Sequence, residues 1–286
     1  MSTNREKAAK ILEDLNNVSL MDDLYMTLFF NDDIPVTQLL LRIVMNKDDL
    51  IVKSVSTQYK INGAEEKRIA IFDVFATDSK GTRYDIEFQK ENSGASPYRA
   101  RFNIALLDSN ALKPTQDHKL LENNKSVVIF ITQKDYFKMG RPLYKFERVD
   151  IETGINFNDG TSIIYVNGSY KGIDTAIGRL IHDITCIKES EMFYKDFADR
   201  ANVVKLKRGE ENMSLLDDLL KEEKAESRAE GKAEGLAEGE ANGEAKRSRY
   251  VAAELIKLGN MTFETIARVC KMSLVNVQEL AKSLGR

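Results

Sequence analysis

The sequence predicts an α/β fold, in which a mixed β-sheet is flanked by helices and followed by a C-terminal helical extension. Segments 67–78 and 82–90 have the composition of strands and flank a turn signal at 79–81, which indicates a β-hairpin. Segment 126–132, SVVIFIT, is a short apolar run rich in β-branched residues, which is typical of a buried central strand. A helical segment that begins at Pro97 separates the hairpin from this run. The resulting βαβ unit predicts that strands 82–90 and 126–132 are parallel.

The other elements follow from hydrophobic spacing. Apolar residues three and four positions apart indicate helices, and short β-branched segments indicate strands. Proline suits the first turn of a helix, so Pro97 is placed at the start of a helix that ends near 112. The remaining predictions are helices at 4–16, 21–32, 34–46, 173–187 and 189–205, and strands at 50–61, 143–150 and 161–167.

Composition restricts the class of protein. The 286 residues are 42% hydrophobic, enough for a sizeable core, and carry a formal net charge of −3. The chain is therefore not a polycation that coats nucleic acid, and binding of DNA would need a local basic patch or a bound cation. The two cysteines, Cys186 and Cys270, lie far apart in apolar patterns, as expected of free thiols in a reducing cytoplasm. No long apolar run and no signal-peptide pattern occur, so we expect no membrane association.

Composition also divides the chain into a domain at 1–208, a charged spacer at 209–247 and a small helical module at 248–286. The spacer repeats Ala-Glu-Gly with a glycine at every fourth position, which fits a solvated, marginal helix or a flexible linker. In the module, Gly259 ends one helix, and Thr262 and Ser273 are expected to cap two more that resemble a helix-turn-helix. DNA reading and protein contact or oligomerisation both remain open for this module.

The candidate functional residues lie on the predicted hairpin. Asp73 interrupts the apolar segment IAIFDVFA, and a buried carboxylate is costly unless a cation or several donors satisfy it. Period two places Asp85, Glu87 and Gln89 on one face of the second strand. If the strands pair, Asp73 and Glu87 lie close together, and a divalent cation would relieve their repulsion. The alternative is a solvated sheet face that carries no chemistry.

The order of an Asp, a hairpin and a Glu-x-Gln strand resembles the PD-(D/E)XK nuclease superfamily. More narrowly, the chain resembles the recombination-promoting nuclease and transposase family over about residues 20–205. The segments that carry this resemblance are DDLYMTLFF, FDVFATDSKGTRYDIEFQK, PYRARFNIALLDSNAL, VVIFITQKD, NDGTSIIYVNG and IHDITCIKESEMFYKDFA. The resemblance implies a restriction-endonuclease-like fold and an endonuclease that hydrolyses double-stranded DNA with Mg²⁺ or Mn²⁺.

The resemblance also implies roles for individual residues. Asp73 and Glu87 would be the metal-binding acids, and Gln89 occupies the position of the superfamily's usual lysine. Glutamine can orient a water molecule but cannot act as its base at neutral pH, which leaves water activation to the metal. Asp22 lies where the family carries an early acidic residue and is a candidate accessory acid. Lys90 is expected on the opposite face of a regular strand and is not assigned as a replacement for the lysine.

Two arginines on the helix after the hairpin, Arg99 and Arg101, are candidates for contacts with DNA phosphates. A solvated helix face, or an ion pair with Glu91 or Asp108, is the alternative for both. His182 lies among Ile and Leu and is expected to be a packed or capping residue rather than a general base.

These observations lead to the hypothesis of a cytoplasmic, metal-dependent endonuclease that cuts double-stranded DNA. The resemblance alone implies that it supports recombination or transposition. A second hypothesis is a catalytically inactive module that associates with DNA or with protein. The glutamine at the lysine position, the low pI near 5.7 and the charged tail favour it. A homo-oligomer formed through the C-terminal helices is compatible with the first hypothesis.

Overall fold

A six-stranded mixed sheet lies in the first of two compact units, Met1–Ser214 and Leu215–Arg286. The computed structural model describes residues 15–62, 69–112, 116–206 and 247–285. The predicted helix at 4–16 and the predicted spacer at 209–247 therefore lie almost entirely outside the described residues. The domain limits given above stay predictions.

The strands of the sheet are β1 (Val52–Asn62), β2 (Ile69–Asp78), β3 (Arg83–Gln89), β4 (Ser126–Thr132), β5 (Leu143–Phe146) and β6 (Thr161–Asn167). Their order across the sheet is β1-β2-β3-β4-β6-β5. Pairing is antiparallel from β1 to β3 and between β5 and β6, whereas β3, β4 and β6 run parallel. The predicted hairpin of β2 and β3 and the predicted parallel pair of β3 and β4 are both confirmed.

The helices described in this unit are α1 (Asp23–Phe30), α2 (Ile34–Met45), α3 (Pro97–Ala111), α4 (Ala176–Thr185) and α5 (Lys195–Leu206). Together with the mixed sheet, they confirm the predicted α/β class. The first four of these helices begin after a side chain that accepts a hydrogen bond from a backbone N–H of the first turn; these caps are Asp22, Asp33, Ser96 and Thr175.

Three predicted boundaries are wrong by three residues or more. The helix predicted from 189 begins at Lys195, after a separate short turn at Glu189–Glu191. The strand predicted at 143–150 ends at Phe146, and Val149 forms a single bridge with Asn156 in the connection to β6. A local turn, in which Asp150 Oδ1 accepts from the N–H of Thr153 at 2.7 Å, replaces the end of the strand. Helix α4 begins three residues later than predicted because Thr175 caps it.

The two faces of β3 meet different layers of the protein. The ring centroids of Phe88 on β3 and Phe30 on α1 are 5.5 Å apart, so the apolar face of β3 packs against α1. Asp85 and Glu87 lie on the opposite face, where Asn103 of α3 donates to both. Helix α3 therefore covers the acidic face of the hairpin.

The turn between β2 and β3 is held by Asp78. Its Oδ1 accepts from the backbone N–H groups of Lys80 and Thr82 at 2.9 and 2.8 Å, and its Oδ2 accepts from the hydroxyl of Tyr84 at 2.9 Å. Gly81 has a φ of +82°, a conformation that L-residues rarely adopt. This turn fixes the register of the hairpin.

Arg200 of α5 anchors the end of α1. Its Nε and Nη2 donate to the carbonyl oxygens of Phe29 and Leu28 at 2.8 Å, and Nη2 also reaches the carbonyl oxygen of Asn31 at 3.2 Å. These bonds satisfy carbonyl groups that have no partner at the end of a helix. Asp33, 3.1 Å from Arg200 Nε, balances the charge.

Asp183 of α4 is fully buried and holds the start of α5. Its two carboxylate oxygens accept from the N–H groups of Phe193 and Tyr194, each at 2.8 Å. The neighbouring His182 packs edge-on against Phe193, with ring centroids 4.9 Å apart, as predicted for a packed residue. Asp183 therefore has a structural role in this unit.

The second unit contains α6 (247–258), α7 (Phe263–Val269) and α8 (Leu274–Ser283). Thr262 and Ser273 cap the last two helices, as predicted. Its core contains Ile256, Ile266 and Val277. Across the parts of the chain that the structure describes, no helix is both long and apolar enough to cross a membrane.

Candidate active site

Three carboxylates, Asp73, Asp85 and Glu87, form a cluster on the β2–β3 hairpin. Val74 pairs with Ile86, so continuing the register by one residue brings Asp73 opposite Glu87. Asp85 lies two residues before Glu87 and shares its face. Asp85 and Glu87 have 0% exposure, so they do not belong to a solvated sheet face.

Each carboxylate of this cluster is held by one or more donors. Asp73 Oδ2 accepts from the backbone N–H of Phe88 at 2.7 Å, which bonds β2 to β3 at the cluster. Asn103 Nδ2 donates to Asp85 Oδ2 at 2.7 Å and lies 3.5 Å from Glu87 Oε1. The other oxygen of Glu87, Oε2, takes its contacts from Arg99 and Gln89.

Arg99 is the cation of the cluster. Its Nη2 forms an ion pair with Glu87 Oε2, and its Nη1 donates to the carbonyl oxygen of Gly94 at 3.1 Å. The ion pair suggested for Arg99 from the sequence had Glu91 or Asp108 as its partner, and the structure shows Glu87 instead. Arg101 is exposed and has no polar partner within the described part of the chain.

Burial governs the electrostatics of the cluster. It is the largest cause that raises the pKa of Asp73, Asp85 and Glu87 above their ordinary values. Repulsion adds to it, since the charge of Glu87 raises the pKa of Asp73 and the charge of Asp85 raises that of Glu87. Arg99 acts in the other direction but supplies one positive charge against three acids. The cluster therefore favours an added cation when the acids ionise.

A cavity of about 330 Å³ adjoins Asp73. It is lined by Asp23, Asp73, Phe88, Gln89, Lys90, Glu91, Ser93 and Gly94. Of the three carboxylates, Asp73 alone lines this cavity, together with the amide of Gln89.

Asp22 does not line this cavity, and its role as an accessory acid stays a prediction, whereas Lys90 lies in the lining, contrary to expectation. Asp22 caps α1 by accepting from the N–H of Tyr25 at 3.4 Å and lies 3.2 Å from Lys90 Nζ, whereas its neighbour Asp23 lines the cavity. Lys90 was expected on the far side of a regular strand. It lines the cavity because β3 ends at Gln89, so the strand alternation does not extend to Lys90.

Gln89 is fixed beside Glu87. Its Nε2 donates to Glu87 Oε2 at 3.2 Å, and its Oε1 lies against Gly94. A Cβ added at Gly94 would lie 1.8 Å from Gln89 Oε1, so only glycine leaves room for this amide. The amide therefore has one defined position at the edge of the cavity.

The donor set of the cluster suits a hard divalent cation. Asp85 Oδ1 is buried and has no hydrogen-bond partner, and further carboxylate oxygens come from Asp73 and Glu87. Within the described ranges, no three His, Cys, Asp or Glu residues are arranged as a complete metal-binding group. Mg²⁺ usually takes one or two carboxylates and completes its shell with water and substrate phosphate, so the cluster fits this ion.

One protein-family model matches a segment that contains this cluster. Residues 31–169 match the family model described as PD-(D/E)XK nuclease family transposase. The resemblance inferred from the sequence is thereby confirmed for this segment. Neither the curated proteins nor the solved structures gave a match. The family supports a nuclease- or transposase-type function.

The family segment contains the carboxylate cluster, Gln89 and both candidate arginines, whereas Asp22 lies outside it. Sequence reasoning did not select Asp85 or Asn103 as site residues. The alternation of β3 gave a signal for Asp85, because it shares a face with Glu87. For Asn103, an amide on a helix next to a predicted site was the available signal, and its position over the carboxylates depends on how α3 packs on the sheet.

Proposed function

We propose that this protein is a metal-dependent endonuclease that hydrolyses phosphodiester bonds of double-stranded DNA. The observation that carries the proposal is the cluster of Asp73, Asp85 and Glu87 beside a cavity, with a buried carboxylate oxygen that lacks a partner. Asp73 and Glu87 would hold Mg²⁺ or Mn²⁺, and Asp85 adds a third carboxylate. Bound there, the metal supplies a water of lowered pKa and stabilises charge that develops on the phosphate.

The protein's own groups position the reactants. Gln89 lies at the cavity and would orient the attacking water through its amide, as a group that donates and accepts without changing its charge. Arg99 is held between Glu87 and Gly94, and it would shift toward a substrate phosphate when a metal takes over the charge of Glu87. Arg101 is exposed on the same helix and would contact the DNA backbone.

The first test is cleavage of supercoiled plasmid with Mg²⁺ or Mn²⁺ by the wild type and by the variants Asp73→Ala and Asp73→Asn. We expect metal-dependent nicking by the wild type and at least a hundredfold loss in both variants. The matched control is Asp49→Asn, an exposed aspartate that pairs with Lys80 at 2.9 Å. A fully active Asp73→Ala protein would overturn the assignment.

A second candidate function is that of a catalytically inactive module that associates with DNA or protein. Two donors, Gln89 and Arg99, already bind Glu87 Oε2, and this arrangement favours the alternative because a metal must compete with them. It predicts retention of DNA without cleavage under any divalent metal. A role in recombination or transposition, a homo-oligomer through the C-terminal helices and a cytoplasmic location are further parts of the proposal that rest on the sequence and the family.

A further inference from the structure

We propose that the exposed face of α3 binds unpaired nucleotides of DNA, with the rings of Tyr98 and Phe102 stacking on bases and Arg101 contacting a phosphate. The inference rests on the proposed nuclease function and names its substrate class. That class is DNA with unpaired or unstacked nucleotides next to the bond that is cut.

Helix α3 has an unusual distribution of side chains. Its inward face carries Arg99 and Asn103, which bind the buried carboxylates. Its outward face carries Tyr98, which is 76% exposed, and Phe102, which is 39% exposed. Soluble helices usually bury their aromatic rings and expose their charged groups. In α3 the inward polar groups bind the carboxylate cluster. The outward rings of Tyr98 and Phe102 have no ring partner or hydrogen-bond partner among the described residues.

The three outward side chains form one surface. Tyr98, Arg101 and Phe102 stand at positions i, i+3 and i+4, which are neighbours on a helix. Tyr98 directly precedes Arg99, whose guanidinium touches Glu87, so the surface begins at the end of α3 that adjoins the cluster. A nucleic-acid strand with one phosphate at the cluster would therefore pass this surface with its next nucleotides.

The chemistry of this surface favours nucleotides. Aromatic rings stack on any base through its π-face, and an adjacent arginine neutralises the phosphate of the same nucleotide. The bases of an intact duplex are already stacked on each other and cannot reach a ring on a helix surface. Unstacked bases that can reach such a ring occur in single strands, bubbles, branches and frayed ends. An apolar contact with a second copy of the chain is the competing explanation. Arg101 next to the two rings argues against it, because such a contact would bury the charge of Arg101 without a partner.

The test measures binding by the full-length protein in an Asp73→Ala background, so that no cleavage interferes. Three fluorescent oligonucleotides of one sequence are compared: a single strand, a duplex, and a duplex with a central unpaired bubble carrying 2-aminopurine. The variants are Tyr98→Ala, Phe102→Ala, their combination, and Tyr98→Phe, which keeps the ring. Phe157→Ala is the matched control, since Phe157 is 71% exposed and belongs to the β5–β6 connection.

We expect the parent to bind the single strand and the bubble at least tenfold more tightly than the duplex. The double variant should bind the single strand and the bubble about tenfold to a hundredfold more weakly than the parent, and the duplex less than threefold more weakly. It should also lose the change in 2-aminopurine fluorescence that reports stacking. Tyr98→Phe and Phe157→Ala should bind like the parent. Equal binding of all three DNAs, no binding of any, or a double variant that binds like the parent would overturn the inference.

Two further readouts separate this inference from the proposed function and from self-association. The first readout is cleavage by Tyr98→Ala in the otherwise wild-type protein. If this variant cleaves at the wild-type rate, and cleavage shows no preference for unpaired DNA, the inference is refuted and the nuclease function still stands. Stacking without cleavage would refute the nuclease function and support the nucleotide surface. A dimer by light scattering that becomes a monomer in the double variant would make the surface a contact between copies and overturn the inference.

Discussion

Replacing Asp85 by asparagine should stabilise the metal-free protein at alkaline pH. Burial raises the pKa of Asp85 from 3.8 to about 7. The folded state therefore disfavours the ionised form that the unfolded chain prefers. Asparagine keeps the size of the side chain and an oxygen that can accept the 2.7 Å hydrogen bond from Asn103 Nδ2, but it carries no charge.

The size and sign of this effect follow from linkage between protonation and folding. Below about pH 4, both the folded and the unfolded chain hold the proton, and Asp85 imposes no ionisation penalty. As the pH rises from about 4 to about 7, the unfolded state ionises first and stability is lost. A pKa raised by about 3 corresponds to about 4 kcal/mol in the free energy of unfolding, and the folded state has lost this whole amount above pH 7. In a domain of this size, that penalty lowers Tm by roughly 8–16 °C.

The assay is urea and thermal unfolding of both proteins in EDTA at pH 4.5 and pH 8.5. We expect the two proteins to agree within about 1 kcal/mol at pH 4.5, and Asp85→Asn to be more stable by several kcal/mol at pH 8.5. Mg²⁺ should narrow the difference at pH 8.5, because a cation at ten times its Kd stabilises the wild type by about 1.4 kcal/mol. Asp49→Asn is the control, since hydrogen bonding and attraction from Lys80 lower the pKa of this exposed aspartate.

One result would refute this reasoning. Asp85→Asn could prove less stable than the wild type by the same amount at pH 4.5 and at pH 8.5. Asp85 would then be an ionised structural group, and burial would not disfavour its charge. A wild type whose stability does not respond to Mg²⁺ at pH 8.5 would in addition count against a metal at this cluster.

Three other predictions address separate features. Gly94→Ala should displace the Gln89 amide and reduce metal-dependent cleavage at least tenfold with unchanged Tm, because a Cβ there would lie 1.8 Å from Oε1; equal activity would contradict the positioning role of Gln89. Arg200→Met should cost about 2–3 kcal/mol in urea unfolding, since three carbonyl groups at the end of α1 lose their donor. A chain that ends at residue 210 should have a lower oligomeric mass by light scattering, and an unchanged state would remove the C-terminal helices as the oligomerisation unit.

The hairpin and the central strand could be predicted because their signals are local. Alternation along β3 and the β-branched run of β4 are read from consecutive residues, and the predicted hairpin brought Asp73 close to Glu87. Thr262 and Ser273 were equally readable, because a cap acts on the turn that follows it.

The remaining parts of the site depend on contacts between residues distant in sequence. The burial of Asp85 depends on α3, and the partner of Arg99 depends on how that helix crosses the sheet. Asp22 was selected from the sequence as an acid, and its contact with Lys90, 68 residues away, could not be read from the local sequence. The predicted position of Lys90 was wrong because the end of a strand can shift by a residue or two without a clear signal in the local sequence.

The turn between β2 and β3 sets the strand register on which the position of the carboxylate cluster depends. If the pairing slipped by one residue, Ile86 and Phe88 would face α3, while Asp85 and Glu87 would enter the apolar layer around Phe30. Gly81 and Asp78 therefore specify the position of the carboxylates although neither lies among them. Loss of the turn is therefore expected to abolish the proposed metal binding in a chain that still has its full content of strand.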